Sequence, residues 1–240
     1  YSDGCYSTTL IDGKTPIGVI AYLGTDAFSE NGVTLRDNTT TLQSHGLVLC
    51  LKNVATNVVW GPYNLNYYEF GKDNAVSDIN DMKRTENVSG YSNTKTIAEK
   101  ANASTDYPAL YQAWNYTTLP APATTTGWFM PSAQQWVRMQ TGLGGTNIDD
   151  FPVMNSYYAP SGATNIETSL AKAGSGNYES IKTSNVNLYW TSTELRNDNY
   201  TDGRWVIAFY VNDSGFRWSG SGKNETYAAS YCIVRPVLAF

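Results

Sequence analysis

NLYWTSTELRNDNYTDGRWVIAFYVNDSGFRWSGSGKNETYAASY occupies residues 187–231, and the apolar run CIVRPVLAF follows it at 232–240. The first of these stretches holds five Tyr, three Trp and two Phe, interleaved with five Asn, five Ser and four Gly, and it contains neither His nor Cys. Tyr and Trp supply large, stiff, amphipathic contacts at low entropic cost, and Ser, Gly and Asn supply adaptable hydrogen bonds. The pattern is that of a surface that touches a partner rather than transforming one. It also predicts strands: Leu188–Thr193, Arg204–Val211, Gly215–Gly220 and a last strand through Phe240, each rich in β-branched and aromatic residues. VNDSGF, residues 211–216, reads as a tight hairpin, with Asn212, Asp213 and Gly215 giving the turn chemistry. Pro236 puts an edge or a bulge in the last strand, because proline cannot donate to a ladder. In Arg204–Val211 both alternating sets of side chains are mostly apolar, which predicts a strand covered on both faces.

Upstream, TPIGVIAYLG (15–24), GLVLCLKNV (46–54) and VVWGPYN (58–64) read as further strands. Residues 73–93 and 146–186 are polar and punctuated by turn formers, so they read as loops, with Tyr157 and Tyr158 as a buried or interface pair. Helices are expected over 96–103 and 107–116, the latter with Pro108 in its first turn. Ser132 followed by Gln135 is a capping box, and it starts a helix that runs to the glycines at 142–145. With no repeat and no low-complexity linker, residues 1–240 read as one α+β domain built from small antiparallel sheets, two or three helices and long loops.

Composition narrows the function. The chain has 240 residues, 41% of them hydrophobic, enough for a sizeable core. Charged residues make up 15%, below the roughly 25% of ordinary soluble domains. A formal charge of −5 and the lack of any Lys/Arg run exclude the basic face that nucleic acid requires. No apolar stretch reaches the roughly 18 residues of a membrane span. A chain that begins at Tyr1 reads as a processed or truncated product, which leaves upstream anchoring or pilin domains as an open alternative. Cys5, Cys50 and Cys232 have no metal-binding spacing and read as buried free thiols, with one disulfide and an odd cysteine as the alternative.

The order GWFMPSAQQW, YWTST, WVIAFYV, GFRW, VRPVLAF, with the opening YSDGCYS and KTPIGVIAYLG, resembles the bacterial surface-protein family named after the Fibrobacter succinogenes major paralogous domain. The resemblance implies a C-type-lectin-like fold and a Bacteroidetes surface protein. Within such folds the variable proteins of diversity-generating retroelements randomise residues of a C-terminal lectin-like face. The loops here are rich in the residue types that such mutagenesis produces.

The resulting expectation is non-catalytic recognition of a protein or glycan by an exported protein, displayed on a cell surface, pilus or phage particle. The candidate ligand-binding residues are Asn197, Asp198, Asn199, Tyr200, Asp202, Arg204, Asn212, Asp213, Ser214, Phe216, Arg217, Trp218, Ser219, Ser221, Asn224 and Tyr227. Tyr200, Trp218 and Tyr227 are the anchors, and Arg204 or Arg217 adds a charge. The alternatives are a carbohydrate-binding lectin and a structural subunit of a surface assembly or pilus. The lectin's calcium triplets are broken here: Glu194-Leu195-Arg196-Asn197 lacks the proline and Val211-Asn212-Asp213 lacks the tryptophan, so no metal or other cofactor is expected. Enzyme activity is not expected either. The one histidine, His45, sits at the start of a strand, and the formylglycine-generating enzymes of related fold need a cysteine pair where this chain has Cys232 alone.

Overall fold

The structure, a computed structural model, describes residues 1–28, 30, 41–63, 68–71, 74–77, 88–144, 160–182, 187–197, 200–212, 215–224 and 232–240. Two sheets carry it. The smaller has the order β1-β2-β8 and is antiparallel throughout, from β1 (Gly18–Leu23), β2 (Gly46–Cys50) and β8 (Val237–Ala239). The larger has the order β3-β7-β4-β5-β6, from β3 (Ala55–Thr56), β4 (Asn187–Asn197), β5 (Tyr200–Asn212), β6 (Gly215–Gly222) and β7 (Cys232–Val234). Its pairs are antiparallel except β4 with β7, which run parallel.

Pro236 explains how the C-terminal run serves both sheets. The sequence reads 231–240 as one strand with an edge or bulge at the proline. Instead the strand breaks there, so that β7 pairs in the larger sheet and β8 in the smaller. Proline has no N–H to offer a ladder, but its carbonyl still accepts from the Cys50 N–H at 3.0 Å. Arg235, buried beside it, holds the corner: one guanidinium nitrogen donates to the Asn53 side chain and another to the Glu179 carbonyl, both at 2.8 Å.

Five α-helices lie among the described residues: α1 (Gly90–Ala98), α2 (Ala103–Asp106), α3 (Pro108–Trp114), α4 (Ala133–Gly142) and α5 (Pro160–Ala171). α3 and α4 fall where the sequence places them. The helix expected over 96–103 is divided between α1 and α2, and α1 begins in the stretch read as loop. α5 lies in a second such stretch. Its Ser, Gly, Thr and Asn are weak helix formers, yet Ala163, Ile166 and Leu170 recur at helical spacing and are fully buried. Tertiary packing overrides propensity there. The expected strand at 58–64 is irregular over 58–63, because Trp60 turns inward. Its ring is buried and its indole N–H donates to the Thr191 carbonyl at 2.8 Å. Tyr157 and Tyr158 lie outside the described residues.

The larger sheet is covered on both faces, as the two apolar sets in β5 predict. Ile207, Phe209 and Val211 join Trp136 of α4, Ile166 and Leu170 of α5, and the apolar side chains of the smaller sheet in one core. Val206 and Ala208 join Trp60, Ile97 of α1, and Ala109 and Leu110 of α3 in a second core on the opposite face.

Gln135 ties these layers together. The capping box forms: the Gln135 N–H donates to Ser132 Oγ at 3.3 Å, and Gln135 Oε1 accepts from the Ser132 N–H at 2.9 Å. The same buried side chain donates from Nε2 to the carbonyls of Ala27 at 3.0 Å and Val88 at 2.9 Å. Gly90 leaves room for it, since a Cβ there would lie 2.1 Å from Gln135 Oε1. A buried carbonyl or N–H left without a partner costs about 1–3 kcal/mol. Gln135→Ala orphans three such groups and is expected to destabilise the fold by about 3 kcal/mol in denaturant unfolding. Gln135→Glu keeps the acceptor but has no donor for the two carbonyls, and it is expected to recover less than half of that loss. Full recovery by Glu would contradict the assignment of these bonds.

Candidate functional site

The hairpin formed by β5 and β6 follows the register that VNDSGF dictates, with Asn212 opposite Gly215, Tyr210 opposite Arg217 and Ala208 opposite Ser219. Gly215 adopts φ 116°, a backbone conformation that side chains with a Cβ rarely take. Because strand side chains alternate, Phe216 and Trp218 point together to the face that holds Phe209 and Val211. Both are fully buried. Arg217, Ser219 and Ser221 go to the other face.

On that second face the core runs out toward β6, leaving a half-exposed polar and aromatic strip. The Arg217 guanidinium lies 4.3 Å from the centre of the Tyr210 ring, and the Tyr210 hydroxyl shares a 2.8 Å hydrogen bond with Ser221 Oγ. Nearer the other end of β5, the Arg204 guanidinium lies 4.9 Å from the centre of the Tyr63 ring, which is 36% exposed. A guanidinium stacked on an aromatic ring is held flat against it, which fixes the two side chains relative to each other.

This strip rests on a buried charged cluster. Glu194 of β4 and Lys223, just after β6, form an ion pair in which each side chain is 1% exposed. The Glu194 carboxylate also accepts the backbone N–H groups of Glu69 at 2.9 Å and Phe70 at 3.1 Å. The Lys223 ammonium sits 4.9 Å from the centre of the Trp60 ring, and the Lys223 N–H donates to the Arg204 carbonyl at 2.9 Å. Glu69 in turn takes the Lys100 ammonium at 2.5 Å and the Tyr107 hydroxyl. Each buried charge therefore has a partner, as burial requires.

The expected contact residues divide accordingly. Arg204, Asn212, Arg217 and Ser219 are half-buried on or beside the strip, and Asn224 is exposed in the turn after β6. Phe216, Trp218 and Ser221 are corrections: their side chains are buried, the two aromatics because the core needs that face and Ser221 because it supports Tyr210. Asn197 ends β4, and Tyr200 and Asp202 lie at the start of β5. Asp198, Asn199, Asp213, Ser214 and Tyr227 lie outside the described residues. Tyr63 and Tyr210, which the sequence reads as strand residues, are not among the expected contact residues. The hairpin register had the signal for Tyr210, since it puts Tyr210 directly across from Arg217.

No group of three or more His, Cys, Asp or Glu is placed to hold a metal among the described residues, and Glu194 is fully engaged. His45 is exposed at the start of β2. Cys50 and Cys232 are buried free thiols as expected, and burial pushes the Cys50 thiol up to about 12. Cys5 departs from the expectation. It is exposed, and Lys14, nine residues on, brings its ammonium within 3.0 Å of Sγ. Lys14 also binds Asp3 at 2.5 Å, and that hydrogen bond holds the Asp3 carboxyl down at about 2. No helix among the described residues is long and apolar enough to cross a membrane.

Comparison with known proteins places the fold. No protein-family model matches the chain, and no curated protein matches it by sequence. A crystal structure of a fimbrial protein from Bacteroides ovatus is similar to it, with a TM-score of 0.52 and 17% identity over 93% of this chain and 44% of that one. The chain thus spans less than half the length of that protein. The likeness shows a shared α+β fold of small antiparallel sheets with few helices. The specific paralogous-domain family suggested by the sequence gains no support from these comparisons.

Removing one member of a buried ion pair costs about 3–5 kcal/mol, because the other charge is left uncompensated. Lys223→Met is therefore expected to lower unfolding stability by about that amount. Adding Glu194→Gln to it is expected to restore part of the loss, and additive losses in the double mutant would contradict the coupling. Native protein at pH 8 is expected to alkylate at Cys5 and not at Cys50 or Cys232, as read by peptide mass mapping. Because the folded Cys50 keeps its proton above the unfolded value of 9.0, its contribution to stability is lost as pH rises from 9.0 toward about 12. Labelling of Cys50 as fast as Cys5 in folded protein would contradict its burial.

Proposed function

We propose that this chain is a non-enzymatic, exported component of a bacterial surface fibre, and that the strip around Arg204, Tyr210 and Arg217 is its contact face. The observation that carries the reading is the likeness of nearly the whole chain to a fimbrial protein. The geometry of the strip agrees with it. Half-buried Arg and Tyr residues on a rigid hairpin are the residue types that dominate contact energies, and the buried Phe216 and Trp218 hold their backbone from behind.

A second reading makes the same strip an adhesin surface for a foreign protein or glycan, as in a lectin-like receptor. The polar, aromatic and stacked character of the strip favours it. In its sharpest form, a retroelement diversifies the loop positions between β4 and residue 231. That form would appear as substitutions concentrated at the Asn, Tyr, Ser and Asp codons of residues 189–231 within one population, with the buried strand positions constant.

The fibre reading is tested by shearing surface material from cells that express the chain. The protein is expected in the sheared fibre fraction, and Arg217→Glu is expected to reduce its incorporation at least about fivefold, since reversing an interface charge costs more than 1 kcal/mol. The melting temperature of the variant is expected to stay within about 2 °C of the parent. A protein found only as a soluble monomer, or incorporation indifferent to Arg217→Glu, would sink the fibre reading. Monomer that binds surface glycans or host proteins through Arg217 would favour the adhesin reading.

A further inference from the structure

The segment 1–13 joins neither sheet. It is pinned across the start of β1: the Ser2 N–H donates to the Thr15 carbonyl at 3.1 Å, and the Tyr1 hydroxyl accepts the Ile11 N–H at 2.8 Å. Lys14 clamps it further through Asp3 and Cys5. Between this segment, the edge strand β1 and the end of α5 lies a partly enclosed cavity of about 550 Å³. That volume falls within the roughly 300–1,000 Å³ of small-molecule sites.

Its lining has a definite chemistry. Leu10, Ile17, Val19, Leu143, Leu238 and Phe240 make the apolar wall. Tyr6, Thr8 and Thr124 also line it, and their hydroxyls make no hydrogen bond among the described residues. Lys172, just past the end of α5, carries the one charged side chain among the lining residues, and no Asp or Glu is among them. Its ammonium has no ion pair or hydrogen bond among the described residues either. An apolar chamber with free hydroxyls and one unpaired cation is complementary to a molecule with an aliphatic body and a single negative head. Tyr6, 81% exposed, and Leu10, 49% exposed, stand at the chamber as apolar surface that such a body would cover.

We propose that the cavity between segment 1–13, β1 and the end of α5 is a binding site for a small amphipathic anion of the aliphatic carboxylate class, with the carboxylate at Lys172. The site uses none of the residues of the β5–β6 strip and stands independently of the function proposed for it. Burial of the aliphatic body supplies the binding energy. The ion pair at a solvent-exposed lysine adds selectivity for the charged head rather than most of the affinity.

Calorimetric titration with decanoate, and with decan-1-ol as its uncharged counterpart, tests this. Saturable binding of one decanoate per chain is expected, tighter than decanol by roughly two- to fivefold. Lys172→Gln is expected to erase that preference while leaving decanol binding unchanged. Thr124→Trp on the exposed wall, and separately Val19→Trp on the strand, are expected to abolish binding of both probes while circular dichroism and the melting transition stay those of the parent. Two blocking variants on different walls guard against one of them failing to fold. Lack of saturable decanoate binding to folded protein would overturn the proposal, as would binding indifferent to a correctly folded blocking variant. A parent protein that sediments as a dimer and is dissociated by Thr124→Trp would also overturn it, since the cavity would then receive a second copy of the chain.

Discussion

The larger sheet must be buried on both faces at once, and most of the structure follows from that constraint. A strand in such a sheet has no solvent side along its centre, so β5 alternates between two cores rather than between core and water. One face needs α4, α5 and the smaller sheet against it. The other needs Trp60, α1 and α3. The capping box and carbonyl bonds of Gln135 then fix α4 in place, and Pro236 lets one short C-terminal run stitch the two sheets together. Where the second core ends, toward β6, the sheet meets solvent, and that is where Tyr210 and Arg217 lie.

The same constraint decides which aromatic residues are available for contact. A window dense in Tyr and Trp resembles a recognition surface in composition, but a sheet covered twice draws its largest side chains inward. Trp190, Trp218, Phe209 and Phe216 are all buried. Trp205 and Tyr210 are only partly buried, the rest of what remains outside is polar, and its order comes from behind. Glu194 and Lys223, sealed under Trp60, anchor the end of β6 to β4, so the exposed strip is rigid without needing its own large apolar contacts. Removing water from both charges makes each depend on the other.

Much of the fold was legible in the sequence. The strands of the C-terminal third, the hairpin at 211–216 and the two-faced burial of β5 follow from alternation and turn chemistry, and the capping box at Ser132 placed α4. The misses have local physical causes. α5 was hidden because its buried stripe of Ala163, Ile166 and Leu170 is carried by a segment otherwise made of weak helix formers. In the sequence the break at Pro236 looks like an edge or bulge, because a sequence does not reveal that two different sheets are waiting on either side. At the site, the strand parity of 215–222 was the missing fact: one residue's shift separates Phe216 and Trp218, which are buried, from Arg217, which is not. Lys14 beside Cys5 and Lys223 beside Glu194 are contacts made by the chain's return, 9 and 29 residues apart, which no neighbouring-residue argument captures.

Hydroxyl-radical footprinting of the isolated protein and of the same protein in sheared surface fibres tests the central claim most directly, because it reads side-chain exposure residue by residue in both states. The account predicts that Phe216 and Trp218 stay unlabelled in both, while Tyr63 and Tyr210 label in the isolated protein and become protected in the fibre. Labelling of Trp218 in the isolated protein, or equal labelling of Tyr210 in the two states, would contradict it.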